Sequence, residues 1–125
     1  MSLKVTVEKS GQGAFKVRPA GSIDAKTYTT LLTDVEAILA KHPSLLIFDM
    51  ADVSFVSSAG VGVVLTAEKS MKAEGNRVLM VNAQPHIRKV FDIVQALPPQ
   101  QIFSSVQEMD HYLKEIQRKV KSGEM

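Results

Sequence analysis

Ser57 and Ser58 stand together immediately before Ala59-Gly60-Val61-Gly62, at the head of a segment with helical periodicity. A helix start leaves backbone N–H groups unpaired, so hydroxyls placed there can cap them, and an anion carried by one of them would be well received. Small neighbours leave room for a second surface to come close. A serine acting as a nucleophile needs a base. The three histidines, His42, His86 and His111, fall in other elements at spacings that build no triad. Val56-Ser57 before Ser58 also departs from the Gly-x-Ser-x-Gly elbow of hydrolases. Capping is the plain reading of both serines, and hydrolase chemistry is disfavoured.

Gly60 and Gly62 could belong to a phosphate-cradling loop, but Val63-Val64 follows where that loop needs Lys-Ser or Lys-Thr. They read instead as close helix–sheet packing or close approach of a partner, and nothing in the motif demands a nucleotide. Asp24, Asp49 and Asp52 are the acidic candidates. Asp24 reads as the N-cap of a first helix. Acidic residues at strand ends are common in loops, so none is taken as a metal ligand. Met50, Phe55 and Val56 precede the serine turn, with Phe55 expected mostly in the core and Val56 as an exposed apolar rim.

The elements that must hold this turn follow from patterning. Leu45-Leu46-Ile47-Phe48 is a continuous apolar run, suited to a strand buried on both faces. Leu3 to Glu8 alternates apolar and polar residues, and after the Gly11-Gln12-Gly13 turn Ala14 to Val17 forms a second strand, ended by Pro19 or placed by it at an edge. Tyr28, Leu31, Leu32, Val35, Ile38 and Leu39 mark one face of the first helix, which stops at His42-Pro43. After the buried strand and a loop through Val56, the second helix runs from Ser58 to Glu74, with Val61, Val64, Leu65 and Met71 inward. Arg77 to Val81 is a strand, and Pro85 opens a third helix with Ile87, Val90, Phe91 and Val94 inward. A short strand, Gln101 to Phe103, leads to a last helix whose stripe is Val106, Met109, Tyr112, Leu113, Ile116 and Val120. Its basic end, Lys114, Arg118, Lys119 and Lys121, reads as a solvated helix terminus.

The expectation is one α/β domain over residues 1–121, with a frayed tail at 122–125. It has a mixed, partly parallel sheet of about five strands in the order β-β-α-β-α-β-α-β-α, with helices packed against it. With 125 residues and 45% apolar content the chain can bury a genuine core. A formal charge of +2 gives no footprint for nucleic acid, and the absence of cysteine excludes disulfides, zinc-thiolate sites and a cysteine nucleophile. No run approaches a membrane span and no signal peptide opens the chain, which places the protein in the cytoplasm by expectation.

Asp49, the Asp52-Val53-Ser54-Phe55-Val56 approach and Ser57-Ser58-Ala59-Gly60-Val61-Gly62 together resemble the signature of the STAS domain, and in particular of bacterial anti-sigma factor antagonists. Gly21-Ser22-Ile23-Asp24 resembles a second, weaker element, and the similarity spans roughly Val5 to Leu113. The resemblance implies the same fold and a non-enzymatic role. It implies binding to an anti-sigma factor that is a protein serine kinase, release on phosphorylation, and resetting by a phosphatase. The acceptor is the serine two before the glycine, here Ser58, with Ser57 as the alternative. The usual preceding Asp is replaced by Ser57. The implied contact surface is Asp24, Asp49, Val56, Ser57, Ser58, Ala59 and Gly60, with no cofactor and no metal. The other role the family offers is a constitutive subunit of a larger assembly, such as a lipid transporter component or a stress-sensing scaffold.

Overall fold

The computed structural model describes residues 2–121. The side chains of Lys119, Val120 and Lys121 and the expected tail at 122–125 lie outside the described residues. The elements run β1 (Lys4–Lys9), β2 (Ala14–Ile23), α1 (Tyr28–Leu39), β3 (Leu45–Asp49), β4 (Asp52–Val56), α2 (Ser58–Ala73), β5 (Arg77–Val81), α3 (Pro85–Val94), β6 (Ile102–Phe103) and α4 (Val106–Lys121), with a 3-10 turn at Pro99–Gln101 before β6.

The sheet is ordered β1-β2-β3-β5-β6, with β4 also on β2. Among the described residues only the β1–β2 pair is antiparallel; β3, β4, β5 and β6 all join in parallel. Alternation along the central strands sends side chains to opposite faces. Leu46 and Phe48 of β3 and Val78 and Met80 of β5 pack in the larger core, which also holds Leu31, Val35, Val64, Ala67, Ile87 and Phe91 from α1, α2 and α3. Ile47, Leu79 and Val81 face the other way, onto Phe103 and Met109, with Val106, Tyr112 and Leu113 of α4 alongside. Burial on both faces is why Leu45 to Phe48 carries no polar alternation.

Two local features depart from the sequence expectation and shape the site. β2 does not stop at Pro19 but continues to Ile23. Its first half pairs with β3 through Val17↔Phe48, and its second half pairs with β4 from Ala20↔Asp52. Pro19 falls in the gap between these partners, where the N–H it lacks is not needed by either. The expected loop before the serines is therefore a sixth strand, β4. Within it the register with β2 slips between Gly21 and Ser22, so that Val53 opposes Gly21 and Phe55 opposes Ser22. Ser54 is the extra residue of this bulge. The bulge reverses the expected facing: Phe55 is 51% exposed and Val56 is 6% exposed.

Other positions differ at element ends. α1 begins at Tyr28 rather than directly after Asp24. Met50, by contrast, is fully buried, as an apolar loop residue covering the core is expected to be. Val94 and Leu65, expected inward, are exposed. At the end of α3 the chain turns through a left-handed Gln95, and Ala96 and Leu97 take the buried places beyond it.

Candidate functional site

The serine turn is built by three adjoining strand and helix ends. Ile23 and Val56 are paired at the ends of β2 and β4. Directly beyond, the Ser57 N–H donates to the Ile23 carbonyl at 2.8 Å. Ser57 adopts extended backbone angles and is the N-cap of α2, its Oγ accepting from the Gly60 N–H at 3.4 Å. Its carbonyl accepts the Val61 N–H at 3.0 Å, the first bond of the helix ladder. Ser58 is the first residue of α2 and is exposed. The two serines are thus divided in role: one caps, the other points a hydroxyl-bearing residue to solvent at a helix N-terminus.

Gly60 explains how the helix comes so close. A Cβ on it would stand 2.7 Å from both Ile23 Cγ2 and Val56 Cγ2. Only a glycine lets the first turn of α2 rest on these strand ends without displacing them. Gly62 differs, since a Cβ there would meet nothing within 4 Å. It lines an open groove of about 230 Å³ between α1 and α2, together with Tyr28, Leu32, Ala59, Val63 and Thr66.

Asp24 lies one residue past Ile23 and borders the same corner. Its Oδ1 accepts from the Lys26 N–H at 2.9 Å and the Thr27 N–H at 3.0 Å, and from the Thr27 hydroxyl at 3.2 Å. The Lys26 N–H holds its carboxyl below the ordinary value of 3.8; burial, next in size, opposes it, and the Thr27 hydroxyl and N–H add to the lowering. Asp24 therefore orders the turn before α1 rather than capping α1 itself. Thr27 is the N-cap of that helix, and its hydroxyl donates to the Ser22 carbonyl at 2.7 Å.

Asp49 is not part of this corner. It is 6% exposed at the far end of β3, where its Oδ1 accepts from the Ala51 N–H and the Asn82 side-chain amide, both at 3.2 Å. Its Oδ2 faces Arg18 Nε at 3.6 Å. Arg18 lies five residues before Ile23 on β2, which at ~3.3 Å per residue puts roughly 16 Å between the two ends. The expectation that Asp24 and Asp49 flank the serines together is corrected for Asp49: it braces the break between β3 and β4. Val56 and Gly60 are buried and support the turn from beneath, while Ala59 is half-buried on the groove.

Two residues to which the sequence reading gave no such role hold β4 in place. Gln84 Nε2 donates to the Val53 carbonyl at 3.0 Å, and His86 Nε2 lies 3.0 Å from the Ser54 carbonyl. These side chains serve the edge of β4 that, among the described residues, no strand covers. Their signal was faint, a polar pair flanking Pro85 at a helix start. Among the described residues no group of His, Asp and Glu is placed to hold a metal ion, and no helix is long and apolar enough to cross a membrane.

A mixed sheet with helices on both faces and a small-residue serine turn between a strand and a helix defines the class. The family model of the STAS domain matches residues 5–109, and the chain belongs to that family. It is 24% identical over 93 residues, 74% of this chain and 82% of the relative, to the anti-sigma-B factor antagonist of Listeria monocytogenes. Its fold matches that of the anti-sigma factor antagonist SpoIIAA in its unphosphorylated form, with a TM-score of 0.75 and 19% identity over 90% of this chain and 97% of that one. It also matches a sulfate transporter family protein from Wolinella succinogenes, with a TM-score of 0.71 and 14% identity over 89% and 93% of the chains.

Proposed function

We propose that this chain is an anti-sigma factor antagonist of the cytoplasm, which binds an anti-sigma factor and so frees a sigma factor, and that phosphorylation of Ser58 ends the binding. The observation that carries this reading is the exposure of Ser58 at the first position of α2, next to Ala59, which lines the shallow groove between α1 and α2. The names of its relatives support the general role. The contact surface is the Asp24 turn, Ser57, Ser58 and Ala59, with Val56 and Gly60 fixing its shape from below. The anti-sigma factor is itself the serine kinase, and a phosphatase restores the hydroxyl.

A phosphoryl group on Ser58 brings roughly −1.5 to −2 charge to a helix N-terminus, which accommodates it without a change of fold. A partner seated over small neutral residues then meets bulk and charge. Intact-mass spectrometry with site mapping, after incubation with ATP and lysate of the source organism, tests the switch. One phosphate on Ser58 supports it; none, in lysate of demonstrated kinase activity, overturns it.

Ser57 in place of the family's usual Asp favours a second reading. Here the chain is a constitutive subunit of a larger assembly, of the kind its fold-mates in transporters suggest. Recovery of transporter subunits and no kinase in a pull-down would select it.

A further inference from the structure

β1 is the edge of the sheet, and among the described residues no strand pairs with its outer side. An uncovered edge is a template for another strand. Its sequence, Lys4-Val5-Thr6-Val7-Glu8, is self-complementary when reversed. In antiparallel pairing, opposed residues share one face and one hydrogen-bonding phase, so a strand meets its own copy only about an axis through a residue. An axis through Thr6 sets Lys4 against Glu8 of the second copy twice, Val5 against Val7 twice, and Thr6 against Thr6. An axis through Val7 would set Val5 against Lys9, and one through Val5 would set Lys4 against Thr6; neither matches the charges.

We propose that β1 pairs with β1 of a second copy of this chain about a two-fold axis at Thr6, joining two sheets into one. The apolar pairing has a purpose on each side: Val5 is partly buried against the larger core, while Val7 on the same face is 41% exposed and would be covered by Val5 of the second copy. Glu8 already stands 3.8 Å from Arg18, so the incoming Lys4 extends a run of alternating charge. Lysines on an edge strand usually deter pairing. Here they deter any partner that does not offer a carboxylate at the matching place. β1 ends at Lys4↔Ala20, before Ile23, so the pairing does not use the residues of the serine turn.

One strand pair is a small interface, so the association is weak and concentration-dependent. Sedimentation equilibrium on the whole chain tests it. Wild type shows a monomer–dimer equilibrium that weakens with salt. Lys4→Glu alone and Glu8→Lys alone each set like charges together twice and weaken dimerisation about tenfold or more. Mixing those two variants restores association, because both cross-axis pairs of the mixed dimer then join an acidic to a basic side chain again. Since each variant contributes to a complex in the mixture, a folding defect is distinguished from loss of the interface. A wild type that stays monomeric up to about 1 mM overturns the proposal. A dimer indifferent to both variants, or variants that fail to associate when mixed while folded by circular dichroism, does so as well.

Discussion

Gly60 and Ile23 are so close that a single added methyl on the glycine would lie 2.7 Å from Ile23 Cγ2. The packed strand ends leave that methyl no place to go. Gly60→Ala therefore costs about 1–3 kcal/mol from overpacking, more than the gain in helix propensity returns. Gly62→Ala, two positions on and facing open groove, stabilises by up to about 1 kcal/mol. Urea denaturation of the two variants should give opposite signs.

Ser57 holds the start of α2 through its side chain. Ser57→Ala removes the cap and costs about 1 kcal/mol, whereas Ser57→Asp keeps an acceptor of equal capping power and places negative charge at the helix N-terminus. Thermal melts should rank Ser57→Asp at or above wild type and Ser57→Ala below it. Because Ser58 is exposed, Ser58→Asp should leave the melting temperature nearly unchanged while lowering anti-sigma factor affinity about tenfold or more, read by titration calorimetry.

Asp49 and Asp24 separate a brace from a rim. Asp49→Ala leaves the Asn82 amide and the Ala51 N–H without their acceptor and costs about 1–3 kcal/mol. It should not alter the rate at which Ser58 is phosphorylated in a folded sample. An unchanged stability would refute the bracing role.

Asp24 gives a pH dependence of known sign. Its folded carboxyl is held below 3.8 by the Lys26 N–H first and by Thr27. A depressed value means that its contribution is fully present above the unfolded pKa of about 3.9 and is lost as pH falls through the lower folded value. The stability gap between wild type and Asp24→Asn should therefore be constant near neutrality and shrink below about pH 4. Carbon-detected NMR of the Asp24 carboxyl supplies the folded value.

The fold was legible where burial dictates composition. Leu45 to Phe48 sits between two cores and reads as such, and Tyr28 to Leu39 shows its inner face at helical spacing. The serine turn was legible because Ser57 and Gly60 do local jobs that only small residues do. What the sequence hid are features of pairing. Pro19 signals an ended strand unless the gap between β3 and β4 is known, and Phe55 in an expected loop reads as core cover unless β4 and its extra residue at Ser54 are known. Asp49 looks like a neighbour of Ser58 along the chain, but the length of β2 carries them apart. The roles of Gln84 and His86 depend on an uncovered strand edge, which no local pattern announces.

The tandem pairing of β2 has a mechanical consequence. β1 reaches only to Ala20 and the β2–β3 pairing ends at Val17, yet β2 and β4 run on to Ile23 and Val56. The serine turn thus sits at the tip of a two-stranded peninsula, supported from behind by α2 and at its free side by Gln84 and His86. Two strands alone are marginal. Beyond Ala20 the backbone ladder has only these two strands, so the tip is held mainly by side-chain packing, with Ile23, Val53 and Val56 in the larger core, whereas β3 is paired along both of its edges.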